Sequence, residues 1–545
     1  NLGVRYDVET PRKEKYNRQG SFDPTITGTL NGKPVTGGFV FAGENGRPEG
    51  LWNTNYNGVQ PRIGFAWTPL QFMTVRGSYS LLRTPITGLG NFLVPDLSVP
   101  NQSIGGVNGG VNPGVVNVVT NPTGPIAPIA PLSGGPLFSG AFTVPYIDTG
   151  SAFPYVQQWS FALQFQVTKN LLVETAYNGS KGTHLFGAQV DINQPSYAAL
   201  IQRVKDKFNF GTAVANPYGL VDASNRVRTE TGYQSLRPYQ QFFDQPIQSF
   251  FDRNGNSIYH GGYLSFKQRF SKSLTMQGSY TWQKSIDDVS TSSNSADAGI
   301  FGLARPQNFY DLRAERSEST YNIPHKFTAG YSYDLPLGKG RLLNIKSKTL
   351  NNLFGGWRTA GLFSAQAGYP VWVRLGSIGY WISQGGGNAL EGTTTLRPNL
   401  VAGVPVTTDN WQNDPYGNNT GARFLNPAAF SVPGSLDNPA FGSAPRSLSG
   451  ARNPWTTFYD ANLSKTFKVG ERVKLDLRTD FINALNHPNF FINPNNAHDF
   501  VGAYNRTNIT DPNASPFTIV SGFGRFDRNN TTPGRLLRLA VKLTF

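Results

Sequence analysis

The sequence predicts an all-β fold, a transmembrane antiparallel β-barrel of the outer-membrane type with long extracellular loops. Three observations predict it. About twelve segments alternate between apolar and polar residues, the links between them are short and long in strict turn, and the last segment ends on the aromatic Phe545. Alternation gives a strand one apolar and one polar face, and long loops on one side only are typical of outer-membrane barrels.

The alternating segments are long enough to cross a membrane at a tilt. Residues 155–168 illustrate the pattern, because Trp159 and Phe161 face one way while Ser160 and Gln164 face the other. The segments lie near residues 1–9, 60–68, 71–82, 155–168, 170–180, 256–270, 272–286, 321–335, 353–370, 455–468, 470–485 and 534–545.

The links between these segments alternate in length along the whole chain. The short links are 68–71, 168–170, 271–273 and 468–471, and a longer one near 336–352 falls on the same side. The long links are 10–59, 83–154, 181–255, 287–320, 371–454 and 486–533. Short turns belong on the periplasmic side of such barrels. Counting up and down from the first segment then places Phe545 in the periplasm, as expected for a barrel C-terminus.

Charged residues on the polar face predict a wet lumen. Residues 473–481 carry four charges on one face, and the core of a sandwich could not bury that face without partners. We expect lumen-facing charges to be solvated and to need no partner. Contact with a plug or a passing solute is the functional alternative. The predicted lumen-facing charges are Arg76, Lys267, Arg269, Arg358, Asp476, Arg478, Asp480, Arg538 and Lys542.

Aromatic residues near the segment ends predict girdles at the two membrane interfaces, although strand propensity alone would also favour aromatics there. They are Trp67, Tyr79, Tyr155, Trp159, Trp282, Tyr333, Trp357 and Trp455. The long links are low in apolar pattern and rich in Gly, Pro and Asn, so we expect them to be functional or disordered. Within them, residues 125–131 predict a polyproline-like stretch and residues 197–208 a short helix.

Composition supports an envelope protein. No run reaches about 18 consecutive apolar residues, so no transmembrane helix is expected. The chain has no cysteine, which suits passage through an oxidising compartment. The formal net charge is +15, but Lys and Arg are scattered rather than clustered, so we expect no nucleic-acid partner. The chain starts at Asn1 inside an alternating segment without a signal peptide, so we expect further sequence upstream.

The residue types of common catalytic and metal sites occur without the necessary spacing. His184, His260, His325, His487 and His498 are scattered and are expected in loops or girdles. The motifs of a nucleophile elbow and of a phosphate-binding loop are missing from the sequence. We therefore expect no enzymatic activity, no cofactor and no metal.

Two neighbouring carboxylates open the link after residue 286. Asp287 and Asp288 begin a Ser-rich stretch and could bind a cation. A solvated turn is the simpler interpretation, since aspartates at the start of polar loops usually face water.

Several stretches resemble the C-terminal end of TonB-dependent outer-membrane receptors, most nearly the Oar-like branch. They are KLDLRTDFINALNHPNF (474–490), FGRF (523–526), PGRLLRLAVKLTF (533–545), NLGVRYDVETP (1–11), PRIGFAWTP (61–69), YVQQWSFALQFQV (155–167) and LLVETAYNGSKGTHL (171–185). The resemblance implies that residues 1–545 are the C-terminal part of a larger barrel of 22 strands. Signal peptide and plug would then lie upstream of Asn1. It also implies that Leu539, Val541, Leu543 and Phe545 are the signal read by the outer-membrane assembly machinery.

The resemblance further implies a receptor in the outer membrane of a Gram-negative cell. Such a receptor takes up a bulky, scarce ligand such as a siderophore, oligosaccharide or peptide, energised by the TonB system through the plug. Outer-membrane lipid, lipopolysaccharide and the assembly machinery would be its other partners. Three alternatives stay open: a passive porin, in which segments 1–9 and 534–545 close on each other, an Oar-like surface protein for adhesion or export, and a secreted soluble β-protein.

Overall fold

A computed structural model describes most of the chain. The residues outside this description are 12, 14–18, 85–135, 140–143, 151–152, 188–189, 197, 200–201, 203–205, 207–212, 222–226, 228, 233, 243–246, 250–252, 272, 291–305, 376–395, 419, 434–439, 470–472, 493–499, 505–516 and 527–531. The predicted polyproline-like stretch lies outside the described residues. Of the predicted helix over 197–208, the described Ala198, Ala199 and Gln202 are helical.

Twelve antiparallel strands pair in chain order to form one sheet. They are β1 (Leu2–Tyr6), β2 (Val59–Leu70), β3 (Met73–Arg83), β4 (Tyr155–Thr168), β5 (Leu171–Leu185), β6 (Gly255–Arg269), β7 (Leu274–Asp287), β8 (His325–Asp334), β9 (Trp357–Gln366), β10 (Thr456–Val469), β11 (Val473–Ile482) and β12 (Leu536–Thr544). A thirteenth short strand, Ser317–Glu318, pairs with the end of β7. Each predicted segment contains one strand of this sheet, so the predicted antiparallel all-β architecture is confirmed.

The sheet ends at β1 and β12. Within the described part of the chain, β1 pairs only with β2, and β12 pairs only with β11. Leu2 at one edge is 84% exposed and Phe545 at the other is 93% exposed. The porin alternative expected β1 and β12 to pair with each other, and in the described part of the chain they do not.

One predicted segment begins too early. Residues 353–354 close the helix α1 (Lys348–Phe354) instead of opening a strand. The Ser347 side chain accepts a hydrogen bond from the Leu350 N–H, which satisfies one of the donors left free at a helix N-terminus. Gly356 has a φ of 74°, a left-handed conformation that Gly adopts at little cost and that ends the helical stretch. β9 therefore starts at Trp357.

The long links contain their own secondary structure. Their strands are Gly20–Leu30, Lys33–Phe41, Val144–Tyr146, Ala213–Ala215, Thr229–Thr231, Ile247–Ser249, Pro370–Val371, Asn399–Leu400, Phe430–Ser431, Leu448–Arg452, Val501–Tyr504 and Phe517–Ile519. Their 3-10 helices are Gln234–Leu236, Gln240–Phe242, Leu312–Glu315, Asn410–Asn413 and Pro427–Ala429. Among the described residues, no helix is both long and apolar enough to cross a membrane.

The hydrophobic clusters of the protein lie mainly in these long links. The largest joins buried residues between Val371 and Phe526, and a second joins Phe22, Val144 and Phe242 from three different links. The third is built around Trp52 and Ile147. Of the two alternatives expected for the long links, functional or disordered, disorder is wrong for these parts, and so is the expectation that they lack buried apolar residues. The apolar residues escape detection in the sequence because they are irregularly spaced and come together only in space.

The apolar face of the sheet is exposed, and aromatic rings lie across glycines on it. Phe65 pairs across strands with Gly77, and Phe266 pairs with Gly278. In each pair the ring covers the glycine so closely that a Cβ there would lie 2.3 Å or 2.6 Å from a ring atom. Such aromatic–glycine pairs fill the gap over a glycine and help to fix strand register.

Two histidines join the aromatic residues near the long-link end of this face. Tyr177 O–H lies 2.7 Å from His260 Nδ1, and Tyr280 O–H lies 2.8 Å from His325 Nδ1. The His325 ring also stacks on Trp455 at a centroid distance of 6.2 Å. Trp455 of the predicted girdle lies in this band, and its position at a membrane interface stays a prediction. His498, which was also expected in a loop or girdle, lies outside the described residues.

We expect Gly278→Ala to destabilise the protein by about 1–3 kcal/mol, because the added methyl group forces the Phe266 ring off the sheet. The control is Gly262→Ala on the same face, where an added Cβ meets only a backbone oxygen at 3.6 Å. Urea unfolding in lipid vesicles measures both free energies of unfolding. Equal stability of the two variants would show that the ring–glycine contact is not a packing constraint.

Candidate functional site

The nine predicted lumen-facing charges lie on strands of the sheet, where they alternate with exposed apolar residues of the opposite face. On β12, for example, Arg538 and Lys542 alternate with Leu539 and Val541. The cross-strand register connects the face from strand to strand, because Asp480 lies opposite Arg538 and Asp476 lies opposite Lys542. The sheet therefore has one polar face and one apolar face.

Several of these charges have partners, contrary to the expectation that they need none. Arg358 Nε lies 2.6 Å from Asp334 Oδ1, and Arg478 Nε lies 2.7 Å from Asp480 Oδ1. The side chains of both arginines are more than half exposed. Each pair is thus partly solvated, and such pairs contribute at most about 1 kcal/mol to stability. These ion pairs therefore fix the positions of charged groups on the polar face more than they stabilise the fold.

Another group of partners lies on strands β3 to β6. Arg76 Nη2 donates to Gln164 Oε1 at 2.8 Å, and Arg76 Nη1 lies 4.0 Å from Glu174 Oε2. Tyr263 O–H donates to the other oxygen of Glu174. This arrangement leaves an arginine and a carboxylate held in fixed positions on the polar face.

The β11–β12 pair shows complementary charges in register. Asp480 faces Arg538 and Asp476 faces Lys542, so opposite charges meet twice along one strand pair. Opposite charges directly across an antiparallel pair are favourable, and like charges are not. A shift of one residue would carry both cations to the apolar face, so these pairs favour the observed register.

Two shallow depressions lie along the polar face. The first, of about 300 Å³, is lined by polar groups that include Glu174, Lys267, Gln277 and Thr328. The second, of about 430 Å³, is lined by residues that include Asp460, Asn462, Arg478 and Asp480. Both depressions contain hydrogen-bond donors and acceptors, and both contain positively and negatively charged side chains. Among the described residues there is no group of three or more His, Cys, Asp or Glu that could hold a metal ion.

A buried ion-pair cluster connects the long links to the sheet. Arg446 forms an ion pair with Asp287 at the end of β7 and also donates to the Glu315 carbonyl at 3.2 Å. Arg397 Nη1 lies 2.6 Å from Glu315 Oε2. Arg452 and Glu318 form a third pair next to this one. The cluster therefore ties the link after β7 and the link after β9 to one strand end.

Asp287 is the first of the two candidate cation ligands, and the expectation of a solvated turn is wrong for it. Its carboxylate is only 2% exposed and is occupied by the Arg446 guanidinium. Asp288 accepts hydrogen bonds from the Asn256 backbone and side chain at 3.1 Å and pairs with Arg316 at 3.3 Å. Both carboxylates thus have protein partners.

A separate buried carboxylate organises the link after β5. Asp191 accepts from the N–H groups of Asn193 and Ile247 and from Arg237 Nη1 at 3.1 Å. Burial raises the pKa of the Asp191 carboxyl, and the Arg237 guanidinium and the two N–H donors offset this effect only in part. The group connects three points of the link and so fixes its shape.

Sequence reasoning missed these buried arginines. Arg446 and Asp287 are 159 residues apart, and each looks like an ordinary loop residue in its own neighbourhood. The available signal was the basic residues within the otherwise uncharged stretch 440–452, which shows that charges are present but not which carboxylates they meet.

We expect Arg446→Gln to destabilise the long links by about 3–5 kcal/mol, because it leaves the Asp287 carboxylate buried without its cation. Limited proteolysis of the native protein, followed by mapping of the cut sites, measures the loss of order in these links. Arg358→Gln is the matched control, since its ion pair is exposed. Equal protease resistance of the two variants would contradict a structural role for the cluster. The double variant Arg446→Met with Asp287→Leu should recover much of the loss, because it removes both buried charges together.

Comparison with solved structures gives distant likenesses. The outer membrane transporter YddB from Escherichia coli is 10% identical with a TM-score of 0.37, and the match covers 90% of this chain and 41% of that one. The siderophore receptor PiuA from Acinetobacter baumannii is 11% identical with a TM-score of 0.32, covering 93% and 39%. The FrpB iron transporter from Neisseria meningitidis is 9% identical with a TM-score of 0.34, covering 90% and 39%. The chain thus spans about two fifths of the length of these proteins.

Comparison with curated proteins gives no significant match. Comparison with family models gives one that covers nearly the whole chain, residues 1–538, and is described as an outer membrane beta barrel domain. The match agrees with the antiparallel sheet, its exposed apolar face and the long links on one side only. The chain therefore belongs to the outer membrane β-barrel domain family and is located in the outer membrane.

Proposed function

We propose that this protein is an outer-membrane receptor whose long links capture a ligand and whose polar sheet face conducts it inward, with transport energised by the TonB system. The observation that carries the proposal is the folded state of the long links. They contain three hydrophobic clusters and several buried ion pairs on one side of the membrane.

A folded layer of links fits ligand capture better than free diffusion. Passive diffusion needs only an open path, whereas selective binding needs groups held in a fixed arrangement before the ligand arrives. The Arg446 and Arg397 ion pairs hold two long links against the end of β7. The energetic cost of ordering the binding surface is thus met on folding rather than on binding.

The polar face supports a bulky polar ligand. In outer-membrane barrels the polar face lines the lumen, so we assign the nine charges of this face to the lumen wall. The face offers carboxylates, guanidiniums and amides in close succession, including Arg76, Glu174 and Gln164. A siderophore, an oligosaccharide or a peptide presents matching donors and acceptors. The resemblance to Oar-like TonB-dependent receptors supports the same class.

The edges of the sheet support a larger barrel. In lipid, every backbone polar group needs a partner within the protein, so the free edges of β1 and β12 call for further strands. We therefore propose that residues 1–545 are the C-terminal part of a 22-strand receptor whose plug and signal peptide belong to the same protein.

The closing strand supports recognition by the assembly machinery. Leu539, Val541, Leu543 and Phe545 form an apolar row whose side chains are 56 to 93% exposed. A strand at a free sheet edge can pair through its backbone with a strand of another protein, and its side chains then give specificity. We propose that this row is the assembly signal.

We expect deletion of the gene to abolish uptake of the ligand in the native host, and a protonophore to abolish uptake in the wild type. Radiolabelled siderophores, oligosaccharides and peptides are the probes, and deletion cells with a re-introduced gene are the control. Uptake that persists in the presence of the protonophore would contradict energised transport and favour the porin. Single-channel conductance of the purified protein would then confirm a passive pore.

A surface role would give a different result. Normal uptake of every probe in the deletion strain, together with lost attachment to surfaces, would replace the receptor by an adhesion or export protein. Cells carrying Arg446→Gln should bind the ligand more weakly than cells carrying Arg358→Gln if the ordered links form the capture surface.

A further inference from the structure

The link between β8 and β9, residues 335–356, differs from the other links on its side of the sheet. The other links on that side are 71–72, 169–170, 270–273 and 470–472. This one contains α1 and a series of turns. Because short links of these barrels lie in the periplasm, this link lies at the periplasmic boundary of the membrane.

The link has a fixed shape. The Leu343 N–H donates to the Pro336 carbonyl at 2.8 Å, and the Lys339 N–H donates to Asn351 Oδ1 at 2.7 Å. Arg341 Nη1 also donates to Ser273 Oγ of the neighbouring short link at 3.3 Å. These bonds join the turns to α1, so the backbone of the link has a defined path.

The C-terminal end of α1 is attached to the apolar face of the sheet. Lys465 and Trp357 are cross-strand partners on that face. The Lys465 ammonium donates to the carbonyls of Asn352 and Gly355, and Trp357 Nε1 donates to the Leu353 carbonyl at 3.0 Å. The link thus folds outward to the lipid side of the wall and not toward the lumen.

The link exposes a continuous set of large apolar side chains. Leu350, Leu353 and Phe354 are spaced i, i+3 and i+4, so they share one face of α1, and each is about half exposed. Leu342 and Leu343, in the turn before α1, are 87% and 57% exposed. When exposed apolar side chains next to a lipid-facing wall enter the membrane boundary, their apolar surface is removed from water, which is energetically favourable.

The charges of the link are of one sign. Lys339, Arg341, Lys346 and Lys348 are all exposed, and residues 335–356 contain no Asp or Glu. Basic residues beside an apolar helix face are the pattern of elements that lie in the membrane interface, where they meet anionic headgroups.

We propose that residues 335–356 form an interfacial anchor that inserts its leucines and Phe354 into the periplasmic leaflet and binds the phosphates of anionic phospholipids. The occupant is lipid because the link continues the lipid-facing surface through Lys465 and Trp357. Its positive charge complements anionic headgroups. The anchor fixes the depth of the barrel wall at β8 and β9, and it acts whatever ligand the protein transports.

A cysteine placed in the link can test the proposal, since residues 1–545 contain no other cysteine. The full-length protein carrying Leu350→Cys is labelled with an environment-sensitive nitrobenzoxadiazole group and placed in phosphatidylethanolamine–phosphatidylglycerol vesicles. We expect spin-labelled phospholipids to quench this label strongly. Asn352→Cys is the control, because its side chain lies on the opposite side of α1 and should be quenched weakly. Leu342→Cys gives a second position outside the helix.

Neutralising the charges separates headgroup binding from simple apolar contact. We then add Lys346→Gln and Lys348→Gln to the Leu350→Cys protein. In phosphatidylglycerol vesicles each substitution should lower the equilibrium constant for insertion of the link roughly five-fold. In phosphatidylcholine vesicles the two lysines should make no difference. Equal lipid quenching at positions 350 and 352 would overturn the proposal. Protection of both Leu350→Cys and Leu342→Cys from iodide only after addition of a periplasmic extract would assign the surface to a protein partner instead.

Discussion

The requirement that backbone polar groups in lipid find partners within the protein determines the rest of this structure. Where water is absent, an unpaired N–H or C=O is costly, so a strand can cross only beside another strand. The sheet answers this requirement by pairing each strand with the next along the chain, from β1 to β12. Among the described residues, β1 and β12 are the two of these twelve strands that have a neighbour on one side and none on the other.

Because the membrane acts as solvent for one face, the sheet needs no hydrophobic core of its own. Its large apolar residues are exposed, including Phe65, Trp67 and Leu539. The long links stand in water, where apolar groups must cover one another. Their hydrophobic clusters and buried ion pairs therefore play the part that a core plays in a soluble domain. The ion pair of Asp287 with Arg446 lies at the junction between the sheet and the long links, because it joins the end of β7 to a residue of a long link.

This division explains which features the sequence could predict. Strands show alternation because successive side chains point to opposite faces, one apolar and one polar, so all twelve could be predicted with their order and link lengths. α1 escapes prediction because Leu350, Leu353 and Phe354 make a pattern too short to distinguish from a strand start. The ion pair of Asp287 with Arg446 and the cluster of Phe22 with Phe242 unite distant residues, and no local spacing records such contacts.

The positions of cations on the lipid-facing side follow from the same constraint. A lysine costs most at the middle of the bilayer and little at its boundaries. Lys284 lies near the long-link end of the apolar face, and Lys465 lies near the short-link end. Lys465 extends along the wall to the carbonyls at the end of α1, as long basic side chains do at membrane interfaces. The polar face carries Asp476, Arg478 and Asp480 along the length of β11, as expected if water reaches this face at every depth of the membrane. Cations on the apolar face therefore lie toward the ends of its strands, whereas charges of both signs run along the middle of the polar face.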